Sequence, residues 1–481
     1  MNEDKLLVKL FENWSGERVI TLSPLPLSGS SRRYFRIAGK SKTAIGALNN
    51  DIKENKAFTY LTAHFKKFKL NVPRIYAKNI DNGAYLLEDL GDTTLYSLIE
   101  DSKNKNGAHE GIIELYKKVI DQLVRFQTST KGLNFDKCYP RHSFDSQSIM
   151  WDLNYFKYYF LKLARINFNE QLLENDFGTF TKYLLKAGSG YFLYRDMNSR
   201  NIMVSGNEVY FIDYQGGRKG ALQYDIASLL YDAKAALPQS LRDELLDYYL
   251  EQINKIRKIN KKEFLEYYYS FVLIRILQAL GAYGYRGYFE RKDHFLKSIP
   301  FAVRNLEWLT RSKKIKAKIP YLLSLLNDII YSPEILKYEW SDTPAGKLKI
   351  KITSFSYREK IPADLSGNGG GFVFDCRGIV NPGRYDEYKL FTGMDENVKE
   401  FLDKEETAQK FIKNAIELVD NSINTYLSRN WNNLMVNFGC TGGRHRSVYS
   451  AERLAEHLAG RPDLIVELNH TQLNVNKNFN R

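Results

Sequence analysis

Three polar residues at fixed spacing within residues 191–217 constrain this chain more than any other feature. The segment has the sequence YFLYRDMNSRNIMVSGNEVYFIDYQGG, in which two apolar β-like runs flank a loop. The loop presents Asp196 and Asn201, and Asp213 ends the second run. Phosphoryl transfer needs a carboxylate beside the acceptor hydroxyl and oxygen ligands for a magnesium ion that bridges phosphates. The spacing therefore predicts Asp196 as the proton acceptor, with Asn201 and Asp213 as metal ligands.

A smaller, β-rich lobe is predicted before this segment. Residues 17–48 contain short strand-like runs around the small-residue turn LSGSSRRYFRI, and residues 52–68 have the apolar spacing of a helix. Two further strands, joined by an Asp-Asn-Gly turn, are predicted within residues 71–92. We therefore expect an N-lobe of about residues 1–90.

A larger, helical lobe is predicted to surround and follow the segment. Helical patterns rich in aromatic residues dominate residues 112–185, and helical patterns continue to about residue 330. Gly281, Gly284 and Gly287 are expected to interrupt the later helices. These patterns predict a C-lobe of about residues 91–335, and hence an α+β bilobal fold.

A second, smaller α/β domain is predicted at residues 347–481, after a linker at 336–346. The linker region contains two prolines and loses apolar periodicity. Strands are expected in KLKIKITSFSY, GGGFVFDCRGI and NLMVNFGC, and one long amphipathic helix at residues 396–427. A last turn-and-helix unit begins at TGGRHRS.

Composition and charge limit the classes of function. No stretch approaches the ~20 apolar residues that span a bilayer, the N-terminus lacks the apolar core of a signal peptide, and three cysteines do not make a disulfide framework. We therefore predict a cytoplasmic protein without a membrane partner, and leave its oligomeric state open. The net charge of +14 is carried mainly by the first 340 residues, because residues 341–481 hold 19 Lys and Arg against 18 Asp and Glu. Such a balanced module gives RNA binding only weak support.

Several motifs, in order along the chain, resemble one kinase family. They are GSSRRYFR (29–36), LNVPRIYAKN, LLEDLGD (86–92), IDYQGG with YDIASLLYD (224–232), and LQALGAYGYRGY (277–288). With the Asp196, Asn201 and Asp213 set, they are similar to the aminoglycoside-phosphotransferase and choline-kinase branch of the protein-kinase-like fold. Within that branch they resemble the anomeric kinases of N-acetylmuramate and N-acetylglucosamine that act in cell-wall recycling. The resemblance spans about residues 10–320 and implies ATP and Mg²⁺ as cofactors and a sugar substrate.

The same resemblance, with the small residues of the turn, indicates a nucleotide site. Its expected members are Gly29, Ser30, Ser31, Arg32, Arg36, Glu88 and Leu90. The lysine that such kinases usually carry on a strand is not evident, and Arg36 or Lys42 are the candidates to replace it. Glu54, on the following helix, either pairs with that cation or is a solvated helix residue.

Other positions depart from the family pattern or extend it. The catalytic loop begins with Tyr194 where this branch usually has histidine. Asp225 is expected to stabilise the loop rather than to take part in chemistry. Candidate sugar-binding residues are Gln215, Arg275 and Gln278.

The second module has a turn suited to anions. The sequence GCTGGRHRS (439–447) lies between a strand and a helix, so that successive N–H groups and a helix N-terminus point at one spot. With FDCRGIVNPGR, FTGMDENVKEFLD and RSVYSAERLAEHL, it resembles the C-terminal domain of the RNase adaptor protein RapZ over about residues 348–460. The resemblance implies a phosphosugar- or nucleotide-binding site formed by Arg377, Cys440, Thr441, Gly442, Gly443, Arg444, His445 and Arg446.

Other functions stay open at this level. The spacing Cys440-x5-Arg446-Ser447 is that of a cysteine-phosphatase loop, for which Asp375 or Asp386 would be the acid. A pseudokinase-type regulator or an RNA-linked amino-sugar sensor would use both modules to bind ligands without catalysis. Aminoglycoside resistance is less favoured, because pockets for that polycationic substrate are usually strongly acidic.

Overall fold

The chain forms two compact units, Met1–Ile330 and Tyr331–Arg481. The computed structural model describes residues 3–26, 32–104, 109–336, 347–359, 361–362, 371–429, 431–473 and 475–479. Gly29, Ser30 and Ser31, which were predicted to contact a nucleotide, lie outside the described residues, as do residues 337–346 of the predicted linker.

The first unit begins with an antiparallel five-stranded sheet in the order β1-β2-β3-β5-β4. Its strands are β1 (Thr21–Pro24), β2 (Arg33–Ala38), β3 (Thr43–Leu48), β4 (Ile75–Asn79) and β5 (Ala84–Leu87). A helix that the sequence analysis did not predict, α1 (Glu3–Ser15), buries Leu7 and Phe11 against Ile37 of the sheet. This burial removes apolar surface from water and fixes the sheet on one face.

Helix α2 (Ile52–Lys67) follows β3 and closely matches the prediction at residues 52–68. It begins at Asp51, whose side chain accepts the backbone N–H of Glu54 at 3.0 Å. Phe58, Leu61 and Phe65 are buried along one face of the helix. The cap and the buried face together fix the position of Glu54 in the first turn.

The C-lobe is mainly helical and carries two short β-hairpin-like pairs. Strand β6 (Tyr191–Leu193) pairs with β9 (Arg218–Gly220), and β7 (Ile202–Ser205) pairs with β8 (Glu208–Phe211). The helices are α3 (Leu95–Asn104), α4 (His109–Thr128), α5 (Ser146–Phe156), α6 (Glu170–Leu184), α7 (Leu222–Leu230), α8 (Gln239–Ile256), α9 (Lys261–Gly284), α10 (Asp293–Leu296), α11 (Ile299–Arg311) and α12 (Pro320–Ile330). The predicted bilobal α+β fold is confirmed.

The sequence had suggested that Gly281 and Gly284 interrupt a helix, but they do not. Both lie inside α9, which runs without a break and continues into a π-helical turn at Tyr285–Phe289. A Cβ atom on Gly284 would lie 2.0 Å from the carbonyl oxygen of Tyr159, and one on Gly281 would lie 2.9 Å from the nitrogen of Phe156. The glycines therefore allow α9 to approach the end of α5 and the turn that follows it more closely than any side chain would permit.

We predict that Gly284→Ala destabilises the first unit by about 1–3 kcal/mol, because backbone atoms cannot move aside for the new methyl group. Gly178→Ala, in α6, is the matched control, since a Cβ there meets nothing within 4 Å. That control should instead stabilise by about 0.5–1 kcal/mol through helix propensity. Urea unfolding followed by circular dichroism measures both changes. Equal unfolding midpoints for the two variants would contradict the packing argument.

The second unit is built on a five-stranded mixed sheet in the order β11-β12-β10-β13-β14. Strands β10 (Leu348–Ser356), β11 (Gly371–Asp375), β12 (Asn433–Cys440) and β13 (Leu464–His470) are parallel, and β14 (Val475–Phe479) is antiparallel to β13. The helices are α13 (Pro333–Leu336), α14 (Glu396–Asp403), α15 (Glu406–Ser428) and α16 (Arg446–Leu458). The predicted smaller α/β domain is confirmed.

The single long helix predicted at residues 396–427 was wrong. The structure has two helices, α14 and α15, separated at Lys404 and Glu405. Gln409 of α15 donates to the carbonyl oxygen of Leu402 at 3.3 Å and so satisfies one carbonyl at the end of α14. Asp403 accepts the hydroxyl of Tyr449 at 2.6 Å, which ties this break to α16.

Candidate functional site

The catalytic loop, residues 194–201, is held in place by buried carboxylates of the C-lobe. Asp225 accepts the backbone N–H groups of Tyr194 at 2.7 Å and Arg195 at 3.0 Å, which confirms its predicted role in stabilising the loop. Burial raises the pKa of Asp225 to about 7, against the opposing effect of these donors. Arg195 has a φ of 86°, and its guanidinium donates to the two oxygens of Asp152 at 2.6 and 2.7 Å. These bonds offset the backbone strain and fix the adjacent Asp196.

Tyr194 takes the position where the kinase branch usually has histidine. Its ring is buried, and its hydroxyl donates to the carbonyl oxygen of Ile212 at 2.5 Å. Since Ile212 precedes Asp213, the tyrosine ties the catalytic loop directly to the segment that carries the second carboxylate. The departure from histidine is therefore accommodated by a hydrogen bond within the site.

Asn201 and Asp213 lie at the same end of the β7–β8 pair. The N–H of Ile212 donates to the carbonyl of Asn201 at 3.1 Å, and the amide nitrogen of Asn201 donates to the carbonyl of Asp196 at 2.9 Å. The amide oxygen of Asn201 is thereby left for other partners. Gln215, a sugar-binding candidate from the sequence, instead donates to Asp213 at 2.6 Å.

The charge balance around Asp213 suits a cation. Loss of solvation, followed by the negative charge of Asp196, raises the pKa of Asp213. A bound cation would relieve both effects. Within the described residues no group of three or more His, Cys, Asp or Glu is placed to hold a metal ion. Asn201 and Asp213 offer oxygen atoms, the ligand type of Mg²⁺, which commonly takes one or two side chains and completes its shell with phosphates and water.

An apolar cavity of about 170 Å³ lies between the two lobes. Its lining includes Tyr34 and Ile45 from the sheet, Glu88 and Leu90 from the connector, and Asp213. The N–H of Glu88 donates to the carbonyl of Arg74 at 2.9 Å, so this donor is already used within the lobe. The cavity is thus apolar on its walls and acidic at the end where Asp213 lies.

A second, polar cavity of about 230 Å³ lies on the C-lobe side of the catalytic loop. Asp196 lines it, together with the predicted sugar-binding candidates Arg275 and Gln278. Its other charged lining residues, which the sequence analysis did not single out, are Arg200, Asp232 and Lys234. Asp232 accepts the N–H of Ser199 at 3.0 Å and therefore also supports the loop.

Neither of the two cations expected to replace the strand lysine reaches this site. Arg36 donates to Asp89 at 2.8 Å and to Asp92 at 2.9 Å, so it is bound to the connector between the lobes. The amine of Lys42 donates to the carbonyl of Ser15 at 2.8 Å, at the end of α1. The two were alternatives, and neither is among the residues that line the apolar cavity.

Arg32 is the arginine that lies inside the cleft. One of its terminal nitrogens lies 2.9 Å from Glu54 of α2, and the other lies 3.8 Å from Asp213. Its side chain is only 2% exposed. Glu54 therefore pairs with a cation, as one of the two sequence interpretations held.

In the second unit, the predicted anion turn connects the end of β12 to the start of α16. The N–H of Gly443 donates to the sulfur of Cys440 at 3.2 Å, and the hydroxyl of Ser447 lies 3.1 Å from the same sulfur. Gly443 has a φ of 65°, a conformation that favours glycine. Thr441, Gly442 and Arg444 are exposed, whereas Cys440 and Gly443 are buried. The turn is thus closed around the thiol and open to solvent at its tip.

The cationic residues of the turn differ in their surroundings. Arg446 is buried and donates to the carbonyls of Arg377 and Ile379 at 2.9 and 3.0 Å. Arg377 pairs with Asp375 at 2.7 Å and lies on the face of Tyr357. The exposed Arg444 and the half-buried His445 are the side chains nearest to solvent. Arg446 therefore connects two segments of the fold.

The surroundings of His445 lower its pKa. Burial, followed by the positive charge of Arg444, lowers the pKa of His445 against the opposing hydrogen bond to the carbonyl of Tyr388. The ring nitrogen Nε2 lies 3.1 Å from that carbonyl oxygen and donates to it. The cationic character of the turn thus comes from its arginines.

Comparison with known families accounts for both units. Residues 21–259 match the model described as the phosphotransferase enzyme family, and residues 348–474 match the RapZ C-terminal domain. The chain joins a phosphotransferase domain to a RapZ C-terminal domain. The predicted resemblances to the phosphotransferase family and to the RapZ C-terminal domain are confirmed. The phosphotransferase domain contains the catalytic loop and the acidic residues that line both cavities.

Curated relatives match part of the chain. A nucleotide-binding protein of Xanthomonas axonopodis pv. citri is 37% identical over 169 residues, which cover 34% of this chain and 56% of that protein. A nucleotide-binding protein of Corynebacterium efficiens is 35% identical over 127 residues, which cover 26% and 39%. The chain therefore spans about half or less of the length of these relatives.

Solved structures of kinases are similar to the chain at low identity. Choline kinase LicA from Streptococcus pneumoniae is 16% identical with a TM-score of 0.44, and the match covers 65% of this chain and 100% of that one. Plasmodium vivax ethanolamine kinase is 14% identical with a TM-score of 0.45, covering 65% and 88%. Among the described residues, no helix is long and apolar enough to cross a membrane.

We predict that Arg446→Ala loosens the RapZ C-terminal domain, because two carbonyl groups lose a buried donor. Amide exchange in residues 376–384, measured by mass spectrometry on the full chain, should accelerate about tenfold or more. Arg444→Ala is the control, because this side chain is exposed and only its backbone carbonyl is used, by Gly393. Similar exchange in the two variants would show that the buried bonds of Arg446 contribute nothing to the fold.

Proposed function

We propose that the phosphotransferase domain is an ATP- and Mg²⁺-dependent kinase that phosphorylates an amino sugar, N-acetylmuramate or N-acetylglucosamine, at the anomeric hydroxyl. The observation that carries the proposal is the position of the two carboxylates. Asp213 lines the apolar cavity between the lobes, and Asp196 lines the polar cavity beside it. Asn201, which lies between Asp196 and Asp213 in the chain, is hydrogen-bonded to the backbone of Asp196. Donor and acceptor would thus face one another across the catalytic loop.

Each part of the site has a role in this mechanism. The apolar cavity would hold adenine, with the carbonyl of Glu88 and the N–H of Leu90 as its polar partners. Asn201 and Asp213 would hold Mg²⁺, which neutralises phosphate charge when bound. Asp196 would orient the acceptor hydroxyl and take its proton. An anomeric hydroxyl is more acidic than an ordinary alcohol and suits a carboxylate base. An activity that uses ATP and a recycled sugar would belong in the cytoplasm.

The charge of the polar cavity supports a sugar acceptor over a polycationic one. Arg200, Lys234 and Arg275 line it against two carboxylates, Asp196 and Asp232. This excess of positive charge disfavours an aminoglycoside, which carries several ammonium groups. It is compatible with N-acetylglucosamine, which is neutral, and favours N-acetylmuramate, which carries a carboxylate.

The RapZ C-terminal domain is proposed to bind a phosphosugar or a nucleotide at the turn after β12. The exposed residues Thr441, Gly442 and Arg444 support binding, because they present N–H groups and a positive charge to solvent. Hydrolysis by Cys440 is less well supported, since the guanidinium of Arg446 donates to two carbonyls instead of facing the thiol. RNA is not favoured as a partner of this domain, given its balanced charge.

The kinase is tested with Asp196→Asn in the full chain, assayed against ATP and a panel of sugars. Turnover should fall by about two to four orders of magnitude with little change in ATP affinity, because only the proton acceptor is lost. Asp213→Asn should instead weaken ATP binding and raise the Mg²⁺ concentration that half-saturates the enzyme. Phosphorus NMR locates the new phosphate at the anomeric carbon. Absence of sugar phosphorylation by wild type that nevertheless binds ATP would favour the pseudokinase alternative.

The acceptor is tested with Lys234→Met. We expect the KM for N-acetylmuramate to rise about tenfold, because one attractive charge is removed from the cavity. The KM for neutral N-acetylglucosamine should change less than twofold, and this substrate serves as the internal control. Equal effects on both sugars would argue against recognition of an anionic group.

A further inference from the structure

The third strand of the N-lobe has a methyl group where kinases of this fold carry their phosphate-contacting lysine. Ile45 of β3 lines the nucleotide cavity, and Ala47, two residues later, has its side chain on the same face of the strand. Ala47 is fully buried and lies opposite Tyr34 of β2, which also lines the cavity. In protein kinases the cation on this strand pairs with a glutamate on the helix that follows. Here that glutamate is present as Glu54, but β3 supplies no cation.

Arg32 brings a cation to the same place from the neighbouring strand. It lies two residues before Tyr34, immediately before β2, and donates to the hydroxyl of Tyr34 at 2.8 Å. Its guanidinium lies 2.9 Å from Glu54 and 3.8 Å from Asp213. One side chain therefore lies between the helix glutamate and the proposed metal ligand. In protein kinases the strand lysine pairs with that glutamate and contacts the nucleotide phosphates.

Glu54 is itself held in position. Its carboxylate accepts the amide nitrogen of Asn49 at 2.6 Å, and its backbone N–H donates to Asp51. A planar guanidinium has several fixed donors, so it can keep the bond to Glu54 while another edge faces a phosphate. Arginine is thus better suited than lysine to act from this more distant strand.

We propose that Arg32 is the phosphate-contacting cation of the kinase site, taking the place of the third-strand lysine, and that Glu54 orients it. The inference rests on the proposed kinase function and adds to it the cation that β3 does not supply.

The test separates the phosphate contact from the rest of nucleotide binding. In calorimetry on the full chain, Arg32→Ala should weaken MgATP binding about 10- to 100-fold, the range for a lost charge-assisted hydrogen bond. Binding of adenosine, which has no phosphate, should change less than twofold. Arg33→Ala is the matched control, because Arg33 is the adjacent arginine and is exposed. If the ion pair of Arg32 were purely structural, Arg32→Ala would change the affinities for MgATP and adenosine together, or would change neither.

Two further variants restore a cation. Arg32→Lys keeps the charge at the original position, and the double variant Arg32→Ala/Ala47→Lys moves it to the position on β3. We expect at least one of them to bind MgATP about tenfold more tightly than Arg32→Ala does. Binding of adenosine confirms that each variant is folded. Failure of both folded variants to bind MgATP better than Arg32→Ala would overturn the inference, because positive charge would then not be what the site lacks.

The outcomes distinguish this inference from the function on which it rests. If wild type binds MgATP and Arg32→Ala binds it equally well, the role of Arg32 is refuted while the kinase proposal stands. If wild type binds neither adenosine nor MgATP, the proposed kinase function fails and the role of Arg32 fails with it.

Discussion

The carboxylate of Asp225 accepts two successive backbone N–H groups, and the geometry of the phosphotransferase site depends on these bonds. A catalytic loop must present Asp196 at a fixed angle, and here it does so through a left-handed backbone conformation at Arg195 that is costly for a residue with a side chain. Asp225 satisfies the backbone at this point, and Asp152 satisfies the buried guanidinium. Asp225 and Arg195 thus both have hydrogen-bond partners, and removing the partner of a buried charged group would leave that charge uncompensated.

The two proposed phosphate sites are built in different ways. In the phosphotransferase domain, buried ion pairs hold the polar side chains in place, and charged side chains line both cavities. In the RapZ C-terminal domain the turn after β12 is closed internally around Cys440 by Gly443 and Ser447 and exposes Thr441, Gly442 and Arg444 to solvent. The first arrangement suits a reaction in which charge moves, and the second suits the recognition of a stable anion.

The sequence predicted the features that depend on local pattern, and it failed where a contact joins distant segments. Asp196, Asn201 and Asp213 were recognisable because one loop and one strand pair carry all three. The pairing of Arg32 with Glu54 was not, since it joins two segments about twenty residues apart and the sequence does not distinguish Arg32 from its neighbouring arginines. The glycines of α9 were mistaken for breaks because their reason lies in the backbone of Tyr159, far away in the chain. Strands β13 and β14 were not predicted, although β13 alternates buried and partly exposed residues; the mostly polar sequence of β14 gives no such signal.

The attachment of Arg36 to the connector has a consequence for how the two lobes respond to their surroundings. Its guanidinium holds Asp89 and Asp92 on either side of Gly91, whose φ is 81°. The side chain of Asp92, which pairs with Arg36, is 79% exposed, whereas the side chain of Asp152, which pairs with Arg195, is 6% exposed. Dissolved ions screen exposed charges far more than buried ones. Raising the ionic strength is therefore expected to weaken the contact of Arg36 with the exposed Asp92 more than the contact of Arg195 with the buried Asp152.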